Sequence, residues 1–371
     1  MDKRQVVIVG AGPAGLASAA ELARRNIGAT VLERSGEIAA AWRGRYDRLR
    51  LNSSRWFSNL PGARYPRASG AFPSRDDVVA YLERYAARKR IDVRLNTRLE
   101  RIDRNGSGWT LQTSGGDHSA RHVIVASGYA HTPYLPAWPG RDLYRGRLLH
   151  AAEYRNPALF RDADVLVVGP GCSGMEIAYD LATSGARRVR LAVRTPPNII
   201  VRSPAGPLFA RAVMKLGPRR ADRFMSFVRR VEVGDLTEYG LPEPEEGIFS
   251  RLARLGVAPA IVDKEVIEAI KERRIEIVGG VESLDGAGVS LADGTRIEPE
   301  AVIAATGYRC GLEPVVGHLG VLNERGVPLV PSGDEAAPGL RFVGYIPRPA
   351  QIGQMGAEAK RAATGIASLR A

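Results

Sequence analysis

The sequence predicts an α/β fold, and three observations carry that prediction. A short apolar run, a glycine-rich turn and a helical pattern follow one another at residues 6–22, VVIVGAGPAGLASAAEL. The same order returns at 165–181, VLVVGPGCSGMEIAYDL. Each copy leads into an antiparallel meander pattern that closes on a small turn, Ser127-Gly128-Tyr129 and Thr306-Gly307-Tyr308. The repeat is far longer than the roughly 20–50 residues of a solenoid unit, so it marks a duplicated domain plan. The expected architecture is two Rossmann-like, dinucleotide-binding domains, each with a β-meander. Residues 1–150 and 301–371 are expected to form one domain. Residues 151–300 form the other, with a helical insertion around 204–259.

Bulk properties agree with a soluble two-domain protein. A length of 371 residues allows two cores. Hydrophobic content of 44% and charged content of 25% are ordinary for globular chains. No apolar run approaches the roughly 18 residues of a membrane span. The opening residues, MDKRQVVIVG, move straight into a strand, unlike a secretory leader, so the cytoplasm is the expected compartment. The net charge is +13 with a pI near 10.1. It reads as a solvated arginine-rich surface, or as attraction for an anionic cofactor or substrate. The arginines are dispersed and lack aromatic interleaving, so no nucleic-acid module is expected. Cys172 and Cys310 form no CxxC pair, which excludes a dithiol redox centre and a zinc ribbon. No metal site is expected. Cys172 reads as a small residue at its turn, and Cys310 has no assigned role.

In chain order, residues 6–9 read as a strand buried on both faces. In Gly10-Ala11-Gly12-Pro13-Ala14-Gly15, Gly10 makes the tight turn, Gly12 admits a pyrophosphate, and Gly15 lets helix pack on strand. The helix N-terminus offers free N–H groups and its dipole to the phosphates, which places Pro13 and Ala14 beside them. A second strand at 29–32 ends at Glu33, about 20 residues past Gly12, where a carboxylate accepts ribose hydroxyls. A carboxylate there repels a 2′-phosphate, so this cradle should hold FAD or NAD rather than NADP. Arg34 and Trp42 are further expected cofactor neighbours. The stretch at 38–57 is irregular, and its arginines and aromatics suit either a cover over a flavin or a surface loop with a buried Trp. Residues 76–90 predict an amphipathic helix with an Asp cap. Residues 98–127 predict a three-stranded meander with a hairpin signal at Asn105-Gly106. Ala126 and Gly128 at its end are expected to border the first cofactor.

The second cradle, Gly169-Pro170-Gly171-Cys172-Ser173-Gly174, opens a helix running to about residue 184. Gly169, Gly171, Ser173 and Gly174 are the expected phosphate neighbours. The next strand, 189–193, ends at Arg194 instead of an acid. A planar guanidinium fork suits a 2′-phosphate, so this cradle should hold NADPH. Arg202 is either a second phosphate contact or a loop charge. A cap over the nicotinamide side is one role open to the insertion. Residues 263–274 predict a short helix and 281–304 a second meander, after which Thr306 and Gly307 echo the first turn. The tail, with Gly344 and a helix from about Gln351, should return to the first domain. Its N-terminus then either faces a flavin ring or simply packs.

Taken together, these motifs resemble the class B flavin-containing monooxygenases, nearest to the YUCCA-like, indole-3-pyruvate monooxygenase-like subgroup and its bacterial relatives. The residues carrying the resemblance are GAGPAG, GPGCSG, the GDLTEYGLPEPEEG stretch, AATGY, and the family's F-x-G-x-x-x-H-x-x-x-[FY], here Tyr144, Gly146, His150 and Tyr154. The chain departs from the family in Tyr144, where Phe is usual, and in Ala39-Ala40-Ala41-Trp42, where the family has Gly-Gly-x-Trp. Tyr154 stands where Baeyer–Villiger enzymes of type I have Trp.

The resemblance implies FAD in the first cradle and NADPH in the second. NADPH reduces FAD, O2 is held as a C4a-(hydro)peroxide, and one oxygen atom passes to an amine, a sulfide or a 2-oxo acid. Bound NADP+ shields the site. The resemblance also places Asn52 near the reactive face of the flavin and His150 where it shapes the NADP site. It implies O2 and a small molecule as partners, no membrane anchor, and leaves a homodimer open. The alternative is an NAD(P)H-dependent flavoprotein reductase serving another acceptor. Substrate contacts are expected from loops at 43–72, 202–256 and 345–354.

Overall fold

The computed structural model describes residues 4–256, 258–347 and 350–369. Contacts divide the chain into two units. One comprises the chain up to Arg43, Ser53–Thr132 and the chain from Tyr308 on; the other comprises Gly44–Asn52 and Pro133–Gly307. The division differs from the expected boundaries for a reason of pairing. Strand Arg147–His150 pairs in parallel with Ala301–Ala304, so both belong to the second unit.

The first unit is built on a parallel sheet in the order Leu340–Phe342, His118–Val125, Arg4–Val9, Ala29–Leu32, Asp92–Arg94. The second repeats it as Arg147–His150, Ala301–Ala304, Asp164–Val168, Arg188–Val193, Glu276–Gly279. In both, the strand before the glycine turn is central and wholly buried, at Val6, Val7 and Ile8 and at Val165, Leu166 and Val167. Burial on both faces is why these runs are continuously apolar rather than alternating. The helices that follow are Pro13–Ala23 and Cys172–Thr183.

The first meander is Leu99–Asn105, Gly108–Thr113 and His118–Val125, turned by Gly106 at φ +57°. The second is a separate three-stranded sheet of Val281–Leu284, Val289–Leu291 and Arg296–Ile297. The helix expected at 76–90 spans Arg75–Lys89. Its cap is Ser74, not an Asp: the Ser74 hydroxyl accepts from the Asp77 amide while the Asp77 carboxylate accepts from the Ser74 amide. The acid contributes as the third residue of a capping box.

The insertion is tied at its base. Strands Ile199–Val201 and Ala260–Val262 pair in parallel, and helices Gly206–Met214, Pro218–Glu232 and Ile248–Leu255 lie between them. Val257 falls outside the described residues.

Candidate functional site

The two glycine turns have the same geometry. Gly10 sits at φ +102° and Gly169 at φ +109°, a region open to glycine and costly for other residues. A Cβ added at Gly10 would lie 2.7 Å from the Ala126 carbonyl oxygen; at Gly169 it would lie 2.7 Å from that of Ala305. A Cβ at Gly15 would come within 1.9 Å of the Gly10 oxygen, and one at Gly174 within 1.8 Å of the Gly169 oxygen. These four glycines are therefore required by the protein's own packing. Gly12 and Gly171 differ, because a Cβ at either would meet nothing within 4 Å. Each faces open space at a helix N-terminus, as a turn should where a pyrophosphate approaches. Gly128 and Gly307, at φ +89° and +88°, are also open on the Cβ side.

Around the first cradle, Glu33 is nearly buried. Its carboxylate accepts from the amide of Ala11 at 2.8 Å and from that of Ser35 at 3.0 Å. The acid is thereby fixed at the mouth of the glycine turn, as ribose recognition requires. Arg34 is exposed, and its guanidinium donates to His131 Nε2 at 2.9 Å, which identifies that nitrogen as the unprotonated one. Burial and the neighbouring Arg34 charge both hold the His131 pKa down. Trp42 is half-buried in the short helix Ala40–Arg43, and its amide donates to Ala39 at 2.8 Å. Ala39 adopts φ +60°. Thus the position where the resembled family carries glycine keeps a glycine-like conformation.

The tail does return to this unit. A Cβ at Gly344 (φ +89°) would lie 3.0 Å from the Ala14 side chain, and the Gly344 amide donates to Glu358 at 2.9 Å. Beside it, the buried Tyr345 hydroxyl bonds the Ser127 hydroxyl at 2.7 Å and accepts from the Ser127 amide at 3.2 Å. Gln351 is the first residue of helix Gln351–Ser368. Of the loop 345–354, Arg348 and Pro349 lie outside the described residues.

In the second unit, Arg194 is exposed and makes no ion pair among the described residues. Ser173 is half-buried on the cradle helix. Arg202 points elsewhere. Its side chain is only 3% exposed and bonds Glu176, Asp263 at 2.9 Å, and the Oδ1 of Asn52 at 3.2 Å. It is thus engaged internally, away from the role of a loop-borne phosphate contact. Tyr46 completes the group by donating to Glu176 at 2.6 Å. Burial pushes the Glu176 carboxyl upward, with Arg202 and Tyr46 opposing.

His150 is buried between two partners. Its Nδ1 accepts from the Ala152 amide at 3.0 Å, so Nε2 carries the proton and donates to the Gly307 carbonyl at 3.0 Å. Burial holds its pKa below the usual imidazole value. Tyr154 donates to Asp180 at 2.7 Å, Tyr144 donates to the Pro299 carbonyl, and the Thr306 hydroxyl donates to the Tyr134 carbonyl. The side chains of the Tyr144–Tyr154 motif, together with Thr306, therefore brace the second unit from within. Burial raises the pKa of both thiols, that of Cys310 to about 11, and so disfavours their thiolate forms.

Both cradles fit a dinucleotide, since each pairs an open glycine and a helix N-terminus with a terminal side chain of the right charge. Pattern reading missed Glu176, Asp263 and Tyr46, and also Ser127 with Tyr345. For Glu176 the available signal was a pair of acids, Glu176 and Asp180, inside a mostly apolar helix start, GMEIAYDL.

A family model described as pyridine nucleotide-disulphide oxidoreductase matches residues 7–205. The chain is 35% identical to the indole-3-pyruvate monooxygenase YUCCA1 of Oryza sativa subsp. japonica, over 92% of this chain and 86% of that one. It is 37% identical to YUCCA8 of Oryza sativa subsp. indica, over 97% and 90%. Among solved structures, a flavin-containing monooxygenase from Stenotrophomonas maltophilia shares the fold with a TM-score of 0.77 at 23% identity, covering 100% of both chains. The complex of OTEMO with FAD and NADP shares it at TM-score 0.75 and 16% identity, over 99% of this chain and 84% of that one.

Proposed function

The chain belongs to the YUCCA-type flavin monooxygenases, a family of FAD- and NADPH-dependent oxidoreductases that use O2, and on that premise we propose that it oxygenates a 2-oxo acid. The observation that carries this substrate class is identity of 35–37% with indole-3-pyruvate monooxygenases over more than nine-tenths of the chain. The balanced reaction is 2-oxo acid + O2 + NADPH + H+ → carboxylic acid shorter by one carbon + CO2 + NADP+ + H2O. The carbon–carbon bond between the carbonyl and the carboxylate breaks, and NADPH supplies the two electrons. Bound FAD supplies the acceptance of hydride and the activation of O2.

The protein's own residues bind and orient. Gly12 and the N-terminus of helix Pro13–Ala23 receive the FAD pyrophosphate, and Glu33 accepts from its ribose. Gly171 and helix Cys172–Thr183 receive the pyrophosphate of NADPH, and the exposed guanidinium of Arg194 takes the 2′-phosphate. Asn52 is the proposed polar group at the reacting centre. Its Oδ1 accepts from Arg202, which fixes the Oδ1 side of the amide and leaves hydrogen-bond donation to Nδ2. His150, with both nitrogens engaged, carries no proton in this scheme; it holds the Gly307 turn.

The test is purified protein with NADPH and O2, supplied in turn with indole-3-pyruvate, a tertiary amine and a sulfide. Stoichiometric release of CO2 and indole-3-acetate with NADPH consumption is the expected result. Oxidation of only the amine or sulfide would move the substrate class. The family model's description and the fold likeness to bacillithiol disulfide reductase (TM-score 0.72, 20% identity) favour a second reading, electron delivery to another acceptor. Fast anaerobic NADPH turnover with a disulfide or quinone, without oxygenated product in air, would select it.

A further inference from the structure

Large exposed apolar side chains concentrate in one place. Fourteen occur among the described residues, and half of them fall within 208–231 of the insertion. Helix Gly206–Met214 and the turn after it expose Leu208, Phe209, Met214 and Leu216. Helix Pro218–Glu232 exposes Phe224, Phe227 (65%) and Val231 (70%). The latter three recur at i, i+3 and i+7 and so share one face. A different face of that helix holds Ala221 and Met225, which are buried with Val213, Ile248 and Phe249. The insertion therefore has its own small core, and the outer stripe is surplus to it. Phe209 and Phe224 join the two helices, with ring centroids 5.8 Å apart, into one continuous apolar surface.

Charge borders this surface. Residues 206–232 contain seven Lys and Arg but only two acids, Asp222 and Glu232. Asp222 is turned inward, where it accepts from the amides of Phe249 and Ser250 at 2.7 and 3.1 Å. Arg219, Arg223 and Arg230 recur at i, i+4 and i+11 along one edge of the stripe. Arg211, Lys215, Arg219, Arg220 and Arg223 make no ion pair among the described residues, although arginines elsewhere in the chain commonly do.

We propose that this face of the insertion docks on an anionic lipid surface. Phe, Leu and Met side chains enter the boundary of headgroups and acyl chains, and the flanking guanidinium groups meet anionic headgroups. Charge selects this occupant. A second copy applied through the same face would set cations against cations, in a chain whose net charge is already +13. No described helix is long and apolar enough to cross a membrane, so the helices lie in the plane of the interface. The proposal is independent of which molecule is oxygenated.

The experiment is flotation of the full-length protein with vesicles of phosphatidylcholine alone, or with about 30% phosphatidylglycerol. Flotation is expected with the anionic vesicles only, with affinity falling about tenfold between roughly 0.05 and 0.3 M salt. Phe227→Asp/Val231→Asp and, separately, Arg219→Glu/Arg223→Glu should each weaken binding by about tenfold or more while leaving the melting temperature and flavin content unchanged. The wild-type comparison of the two lipids needs no variant to fold. Absence of flotation, equal flotation with neutral vesicles, or binding undiminished in both variants overturns the proposal. So does a wild-type dimer in sedimentation that Phe227→Asp dissociates, since a second copy would then cover the face.

Discussion

Arg194 and Arg202 lie eight positions apart, and the fold gives them opposite environments. Arg194 is exposed and lacks an ion pair among the described residues, so its guanidinium is available to a phosphate. Arg194→Ala is expected to raise KM for NADPH by about 10- to 100-fold and to leave KM for NADH nearly unchanged, because only the former has a 2′-phosphate. Steady-state kinetics with both cofactors checks this. Arg202 is buried against Glu176. Arg202→Met leaves that carboxylate without its cation and is expected to cost about 3–5 kcal/mol in denaturant unfolding. Adding Glu176→Leu should return much of the loss. Ala39 is the third informative residue. At φ +60° an L-residue carries about 1 kcal/mol or more of strain, whereas glycine adds unfolded-state entropy of about 0.4–1 kcal/mol. Ala39→Gly is therefore expected to be neutral or to stabilise by up to about 1 kcal/mol, where glycine substitutions at ordinary positions destabilise.

Strand, turn and helix act as a unit in each cradle, and the glycines divide by what their missing Cβ avoids. Gly15→Ala and Gly174→Ala drive a methyl to within 1.9 and 1.8 Å of a backbone oxygen, so helix and strand must part. Loss of soluble, folded protein is expected for both. Gly12→Ala and Gly171→Ala meet no protein atom within 4 Å. Gly12→Ala is expected to fold but purify colourless. Gly171→Ala is expected to purify yellow, with KM for NADPH raised by about tenfold or more. Absorbance of the purified protein and circular dichroism separate the two classes. The three-glycine grammar of each cradle was legible in the sequence because tight turns and close helix–strand approach are local steric demands. The cap of helix Arg75–Lys89 was misread because Ser74 and the two acids at the head of the helix, Asp76 and Asp77, all suit an N-terminus, and only backbone geometry shows which accepts from which amide.

At the scale of the molecule, burial of neutral histidine makes stability depend on pH. His150 and His131 both have folded-state pKa values below the unfolded imidazole value of about 6.5. Below that pH the unfolded chain binds protons that the folded chain resists, so stability is full above about pH 6.5 and falls as pH drops through and below it. Melting temperature against pH should show this decline, and His150→Gln should flatten it at some cost in stability at pH 7.5. The sequence by itself determined the duplicated α/β plan, the positions of both cradles, and the opposite charges of Glu33 and Arg194 that end their second strands. These follow from apolar periodicity and from short-range backbone sterics, which neighbouring residues write directly into the chain. Only the tertiary structure decided that Arg202 turns inward to Glu176, Asp263 and Asn52, that His150 is a brace for Gly307, and that the insertion leaves an apolar face uncovered. Those outcomes join residues far apart in sequence. They depend on which buried charge finds a partner along the whole path of the chain, and no local pattern encodes that competition.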